Sequence, residues 1–280
     1  MLPFSSLVVA DYLVFVSKSR SAKSAVSTAV VALKWLYSFI PGINAINNPL
    51  NEEFLTRLTQ SETRNHYKLK ERKKPFSNAM IQMLLDRIKA KENPSLTELR
   101  NTLIPTLAYT LLLRHDEISH LNCNHISTLE NGLKFFIPFS KTDTYREGKY
   151  VNLADDNSDL YALFFRYVKA AHLNFNQNRF FFAPIKFDKT LRKFALTNSK
   201  LSYDAYRNIV KQAVSDIGFD PNEFCTHSCR SGGANELASH VTEFELMVSG
   251  RWVDPRSIGS YVEISQERRL EISKSFQLNS

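Results

Sequence analysis

Glycine is scarce, with 8 in 280 residues, which excludes collagen-like and glycine-rich low-complexity chains. Cysteine is scarcer still. Three cysteines are too few for a disulfide framework, and they fit a reducing compartment better than a secreted one. No apolar run reaches about 18 residues, so no segment reads as a membrane span. The opening stretch MLPFSSLVVADYLVFV has no basic region before it and is interrupted by Asp11, so a secretory leader is not expected. Neither an internal repeat nor a long low-complexity tract is visible.

What is present is enough apolar residue for a core, and an excess of positive charge. Hydrophobic residues make up 43%, with 20 Phe and 11 Tyr, and this excludes general disorder. The length suits one large domain or two modest ones. The net charge of +8 favours an anionic partner, either nucleic acid or a membrane surface. The plainer alternative is a basic globular protein with no such partner.

The first 65 or so residues read as short helices. Val8, Tyr12 and Phe15 form an apolar stripe, and a second helix carries Val26, Ala29, Val30, Leu33, Leu36 and Tyr37 up to the Pro41-Gly42 stop. The segment Arg64 to Lys74 then holds six Lys or Arg against one Glu. It reads either as a solvated linker or as an arm on a phosphate backbone. We place the domain boundary here: a helical domain over 1–66, a basic linker over 67–75 and a larger domain over 76–280.

Beyond Pro75, helices dominate again. Ser77 caps one carrying Ile81, Leu84, Leu85 and Ile88, and Thr97 caps the next, with Ile104, Leu107, Ala108 and Leu111 facing inward. Two strands are expected at Lys134–Phe139 and Lys149–Leu153, and an amphipathic helix at Ser202–Ile217. Thr242 and Glu245 form a capping box, Gly250 ends that helix, and Asp254-Pro255 starts another. Trp252 then falls in a turn, and Tyr261 lies about two turns into the following helix. The expected fold is mainly α with one small antiparallel β-sheet.

His227-Ser-Cys-Arg230 puts His227 and Arg230 on one face near a helix start, with Thr226 as the cap, an arrangement that suits a phosphate. Gly232-Gly233 allows close backbone approach. Taken alone, His-x-x-Arg is common and reads equally well as a structural pair. Arg114 follows an apolar helical run, and Glu117 three residues on can fix it; a salt-bridged rim residue is the bland alternative. Two anchored arginines can stabilise the extra charge of a pentavalent phosphorus. Cys225, His227 and Cys229 are spaced unlike usual zinc ligands, so no metal site is expected.

Together these residues resemble the tyrosine recombinase (integrase) family. Its first Arg motif is matched by Leu-Leu-Arg114-His-Asp-Glu117-Ile-Ser-His-Leu121, its β-turn Lys by Ser140-Lys141-Thr142-Asp143, and its His-x-x-Arg by His227 and Arg230. Gly250-Arg251-Trp252 matches the turn that bears its His or Trp, and Tyr261 follows nine residues later. The match is strongest over residues ~76–270; the first domain resembles the family's helical core-binding domain more loosely.

The resemblance implies a DNA strand-transferase that needs neither metal nor ATP nor another cofactor. Tyr261 would be the nucleophile, forming a 3′-phosphotyrosyl link. Arg114 and Arg230 would bind the phosphate, Lys141 would act as general acid, and His227 and Trp252 would assist. Double-stranded DNA would be the partner, with self-association as a dimer or tetramer on it and no membrane. Lys68, Lys70, Arg72, Lys73 and Lys74 would contact the DNA backbone. Leu270, Ile272 and Phe276 would supply the apolar face of a tail that docks on a neighbouring protomer or folds back on its own domain. The location would be intracellular and with DNA: the nucleus in a eukaryote, the cytoplasm or nucleoid in a prokaryote. A mobile element of the Crypton or DIRS type is one source that fits the Trp. The alternatives are a relaxing topoisomerase of type IB and a catalytically silent DNA-binding relative.

Overall fold

The structure is a computed structural model that describes residues 4–19, 24–44, 48–65, 72–138, 143, 145–155, 158–190, 192–262, 269–270 and 273–274. The chain divides into two compact units, Met1–Arg72 and Lys73–Ser280. Among the described residues, no helix is long and apolar enough to cross a membrane.

Among the described residues the first unit holds three helices: α1 (Ser6–Ser19), α2 (Ser24–Tyr37) and α3 (Glu53–Asn65). A short 3-10 turn, Pro49–Asn51, precedes α3, and the Asn48 side chain caps it by accepting from the Leu50 amide at 2.9 Å. Val9, Ala10, Leu13, Val26, Tyr37, Leu50 and Leu55 form the core. The expected stripe on α1 is on the wrong face: Val8, Tyr12 and Phe15 are exposed, while Val9, Leu13 and Ser17 point inward. The physical reason is that α1 is apolar nearly all round, so spacing alone does not select a face. Ser17 decides it, because its buried hydroxyl donates to Glu62 on α3.

The second unit is built around α5 (Leu96–Thr110), against which α4 (Asn78–Lys89), α7 (Asp159–Ala170), α8 (Tyr203–Asp216) and α9 (Ser228–Leu237) all pack. Leu103, Ile104, Leu107 and Ala108 of α5 are completely buried. Ser95, not Thr97, caps α5: it accepts from the Glu98 amide at 3.2 Å while Glu98 accepts from the Ser95 amide at 2.8 Å. A reciprocal box satisfies two otherwise unpaired donors, which Thr97 cannot do from inside the helix. After α5 comes the one-turn helix α6 (His115–Ser119), and near the C-terminus α10 (Glu243–Gly250), capped by Thr242 and Glu245 as their spacing requires.

The sheet has three antiparallel strands, β1 (Ile126–Leu129), β2 (Gly132–Ile137) and β3 (Lys149–Ala154), in the order β1-β2-β3. Strand β2 therefore starts before Lys134 and stops at Ile137, and β1 was not expected. A second hairpin, β4 (Ile185–Asp188) with β5 (Lys193–Leu196), also adds to the single sheet read from the sequence.

Candidate active site

The site forms where α5 ends. Leu112 adopts a left-handed φ of 50°, which turns the chain sharply into α6. The backbone of Arg114 caps α6, and Glu117, on its first turn, reaches back. The Glu117 carboxylate accepts from the Arg114 amide at 2.8 Å and from the Arg114 guanidinium at 2.9 Å. Glu117 is buried to 1% exposure, whereas the Arg114 side chain keeps 13%.

Arg230 enters from α9. Gly232 and Gly233 press that helix against its neighbours: a Cβ at Gly232 would lie 2.1 Å from the Phe76 carbonyl oxygen, and one at Gly233 2.0 Å from that of Tyr109. The close approach inferred for these glycines is thus to the protein's own backbone. It drives Arg230 fully into the interior, where its guanidinium donates to the Leu112 and Gly250 carbonyls and lies 3.8 Å from Glu117. Burial first, then the charges of Arg114 and Arg251, push Arg230 down to about 9 against the opposing pull of Glu117. It remains cationic at neutral pH.

The third wall is the segment after α10. The helix runs through Gly250 and is closed by Arg251, left-handed at φ 56°, so Arg251 rather than Gly250 makes the stop. Gly250 instead makes room for the indole, since a Cβ there would strike the Trp252 ring at 2.0 Å. The Arg230 guanidinium sits 4.8 Å from the Trp252 ring and 5.2 Å from the Tyr261 ring, and the two rings lie 5.2 Å apart. Tyr261 follows two helical turns, but they are 3-10 and end at it. It closes a six-residue 3-10 turn, Pro255–Ser260, because Gly259 weakens helical continuation. Leu112, Ala234 and Leu246 complete the apolar bed beneath Trp252. The indole Nε1 of Trp252 and Nε of Arg230 are buried donors without an acceptor among the described residues.

Arg251, which the sequence offers only as the middle residue of the Gly250-Arg251-Trp252 turn, is not among the candidate site residues. Its guanidinium donates to Glu117 at 2.8 Å and to the Leu112 carbonyl at 2.7 Å. Burial would raise the Glu117 carboxyl, but Arg251, then Arg230 and the Arg114 amide, outweigh it and hold the group below its ordinary value. Three guanidiniums therefore surround one carboxylate, leaving two positive charges in a largely desolvated site. Such a site is complementary to a doubly anchored anion such as a phosphate.

His227 is exposed and serves as the backbone cap of α9. Thr226 is not the cap: its hydroxyl pairs with Tyr203 at 3.1 Å. Lys141 falls between β2 and β3 in the chain and, like Lys68, Lys70, Ile272 and Phe276, lies outside the described residues. Leu270 is exposed. Lys73 donates to the Asn222 carbonyl at 2.7 Å, and Lys74 pairs with Glu223 at 2.7 Å in an exposed bridge; Arg72 is exposed. Cys229 is buried and Cys225 half-buried. Among the described residues, no three His, Cys, Asp or Glu side chains gather as a metal site.

No family model matches the sequence. An integrase/recombinase XerD homolog of Selenomonas ruminantium is 22% identical over 264 residues, spanning 94% of this chain and 74% of that one. Among solved structures, XerH site-specific recombinase bound to its difH substrate superposes with a TM-score of 0.60 at 16% identity, covering 98% of this chain and 71% of the other. The Tn1549 transposon integrase in complex with transposon right end DNA gives 0.58 at 11% identity, covering 97% and 85%. A lambda integrase dimer on a core site gives 0.54 at 11%, covering 93% and 80%. These likenesses span both units of the chain.

Proposed function

We propose that this chain, a tyrosine recombinase by fold and by the order of its site residues, cleaves and rejoins duplex DNA at a specific site through a covalent bond to Tyr261. The observation that carries the reading is the buried excess of positive charge around Glu117, with the Tyr261 ring 5.2 Å from the Arg230 guanidinium. A phosphodiester supplies the missing anion, and a phenol beside it supplies the nucleophile.

In this mechanism the Tyr261 hydroxyl oxygen attacks the scissile phosphorus. The bond to the 5′-oxygen breaks as the phosphotyrosyl bond forms, leaving a 3′-phosphotyrosine and a 5′-hydroxyl. Arg114 and Arg230 hold the non-bridging oxygens, which carry the extra charge of the transition state. The unpartnered indole Nε1 of Trp252 is a third donor. His227 takes the phenolic proton, and Lys141 protonates the leaving oxygen. Arg230 is covered by the Trp252 and Tyr261 rings, so the phosphate reaches it only once Tyr261 lifts from its face. The new ester conserves the energy of the broken one, so a 5′-hydroxyl reverses the step without ATP or metal. Rejoining to a different strand gives recombination, and this requires protomers to associate on DNA. The basic linker, Lys68, Lys70, Arg72, Lys73 and Lys74, contacts the backbone; the exposed hydrogen bond of Lys73 to the Asn222 carbonyl and the exposed ion pair of Lys74 with Glu223 are weak enough to exchange for phosphate.

The test begins with selection of bound sequences from a random duplex pool. A nicked duplex carrying the selected site then traps the covalent adduct, because the short fragment diffuses away. Wild type should form the adduct and Tyr261→Phe should not. An adduct that persists in Tyr261→Phe refutes the nucleophile. Supercoil relaxation without recombinant product would assign the chemistry to a topoisomerase instead.

A further inference from the structure

Arg251 occupies left-handed backbone, at φ 56°, which an L-residue with a Cβ adopts at a cost. A glycine or asparagine would close α10 more easily, so the side chain needs a reason to be there. Its side chain is almost wholly buried, with 3% of the side-chain surface exposed, which rules out a role as a surface cation for DNA. Its donors are engaged on three elements. Towards α6 it bonds both Glu117 oxygens, at 2.8 and 3.5 Å. Towards the end of α5 it bonds the Leu112 carbonyl at 2.7 Å and that of Leu111 at 3.3 Å. A further bond, to the Ser249 carbonyl at 2.9 Å, stays on its own helix. A simple helix stop makes no such cross-links. The next residue is Trp252, which carries the Tyr261 ring.

We propose that Arg251 is a positioning residue for strand cleavage, clamping the segment that bears Trp252 and Tyr261 to Glu117 and the end of α5. The role rests on the cleavage reading above. Arg114 and Arg230 fix the phosphate, and the same carboxylate, through Arg251, fixes the distance from which Tyr261 attacks. Loss of the clamp therefore lowers the rate of the chemical step far more than DNA affinity, which is spread over many backbone phosphates.

The test compares full-length wild type with Arg251→Gly and Arg251→Lys on the nicked duplex. Glycine removes the clamp and suits the left-handed backbone. Single-turnover cleavage should fall about 10- to 100-fold, the scale of a misplaced reacting group, with duplex affinity within about threefold. The acid limb of the cleavage rate should also move to higher pH, because Glu117 loses a cationic partner. The charged and titratable groups facing Glu117 are Arg114 at the α6 cap, Arg230 on α9, Arg251, and Tyr206 on α8. Arg251→Lys keeps the charge but cannot fork between Glu117 and Leu112, so it should restore the acid limb and only part of the rate. Cleavage by Arg251→Gly at the wild-type rate overturns the clamp, as does a loss matched by weaker DNA binding with an unmoved acid limb. If Arg251→Gly fails to fold, as judged by near-UV circular dichroism, Arg251→Lys decides: a wild-type rate there overturns the clamp. Absence of adduct with wild type overturns the cleavage reading and the clamp with it.

Discussion

Gly250→Ala isolates the contact that seats Trp252. In an ordinary helix this change stabilises by roughly 0.5–1 kcal/mol, because alanine loses less backbone freedom on folding than glycine. The structure reverses the sign. A Cβ at position 250 falls 2.0 Å from Cζ3 of Trp252, 2.1 Å from Cε3 and 2.5 Å from Cη2. Ordinary contact begins at 3.4 Å, so the ring must retreat by about 1.4 Å, the difference between 3.4 and 2.0 Å. The ring is buried on Leu112, Ala234 and Leu246, so a retreat of that size breaks its packing on them. Overpacking of this kind costs about 1–3 kcal/mol. Because Tyr261 and Arg230 both lie on that ring, a shift above 1 Å should also slow strand cleavage about 100-fold. Stability is measured by urea unfolding and cleavage by single turnover on the nicked duplex. Trp252→Phe provides the control, since the three clashing atoms belong to the six-membered ring of the indole and are absent from phenylalanine. Gly250→Ala should therefore cost less in the Trp252→Phe background than in wild type. A Gly250→Ala variant as stable as wild type or more so, or costs that add in the double variant, would refute the reasoning.

Glu117→Gln breaks a buried ion cluster and should cost about 3–5 kcal/mol at neutral pH, as measured by urea unfolding. Because the Glu117 carboxyl is held below its ordinary 4.5, its stabilisation is complete above that pH and is lost as pH falls through the lower folded value. The gap between wild type and Glu117→Gln should narrow only below about pH 4.5, and a gap that closes nearer neutrality would contradict the sign. Neutralising Lys70, Arg72 and Lys73 should weaken binding to all duplexes alike and reduce the slope of log affinity against log salt by about 0.9 for each phosphate no longer neutralised. A change of site preference at constant slope would count against backbone contacts. Ser95→Ala should lower stability by about 1 kcal/mol through loss of the α5 capping box. It should also raise the Glu98 carboxyl from about 2, where a Lys91 hydrogen bond and then Ser95 hold it; an unchanged Glu98 titration by NMR would exclude the box in solution.

The parts of the fold legible in the sequence were those with local chemistry. Ser77 caps α4, Thr242 and Glu245 box α10, and Asp254 with Pro255 starts the last turn, because each is set by residues within one turn of itself. What was not legible depended on distant partners. The buried face of α1 follows from Ser17 meeting Glu62, 45 residues away. Strand β1 is only Ile126–Leu129 and is recognised by its pairing with β2, not by its own alternation. In the site, Arg114, Glu117, Arg230, Trp252 and Tyr261, singled out from the sequence, stand together. Arg251 was passed over because Gly250 looked like the helix stop. Its signal was faint: a cation just past a helix end, between a glycine and a tryptophan, with a buried carboxylate 134 residues away.

The same geometry explains why so much unfavourable chemistry is gathered at one place. Leu112 and Arg251 both hold left-handed backbone, three guanidiniums share one carboxylate, and buried donors on Arg230 and Trp252 lack acceptors among the described residues. Each lowers stability, and none is needed to close the core around α5. They are mutually required once the Leu112 carbonyl is considered. Its left-handed turn aims that oxygen at Arg230 and Arg251 together, so one strained residue orients two cations. Glu117 joins both to Arg114. Removing the excess charge by adding a second carboxylate would relieve the repulsion, but it would also cancel the attraction for an incoming anion. An arrangement that remains short of negative charge is costly to the folded chain alone, and that shortage is the property through which it would select a phosphate.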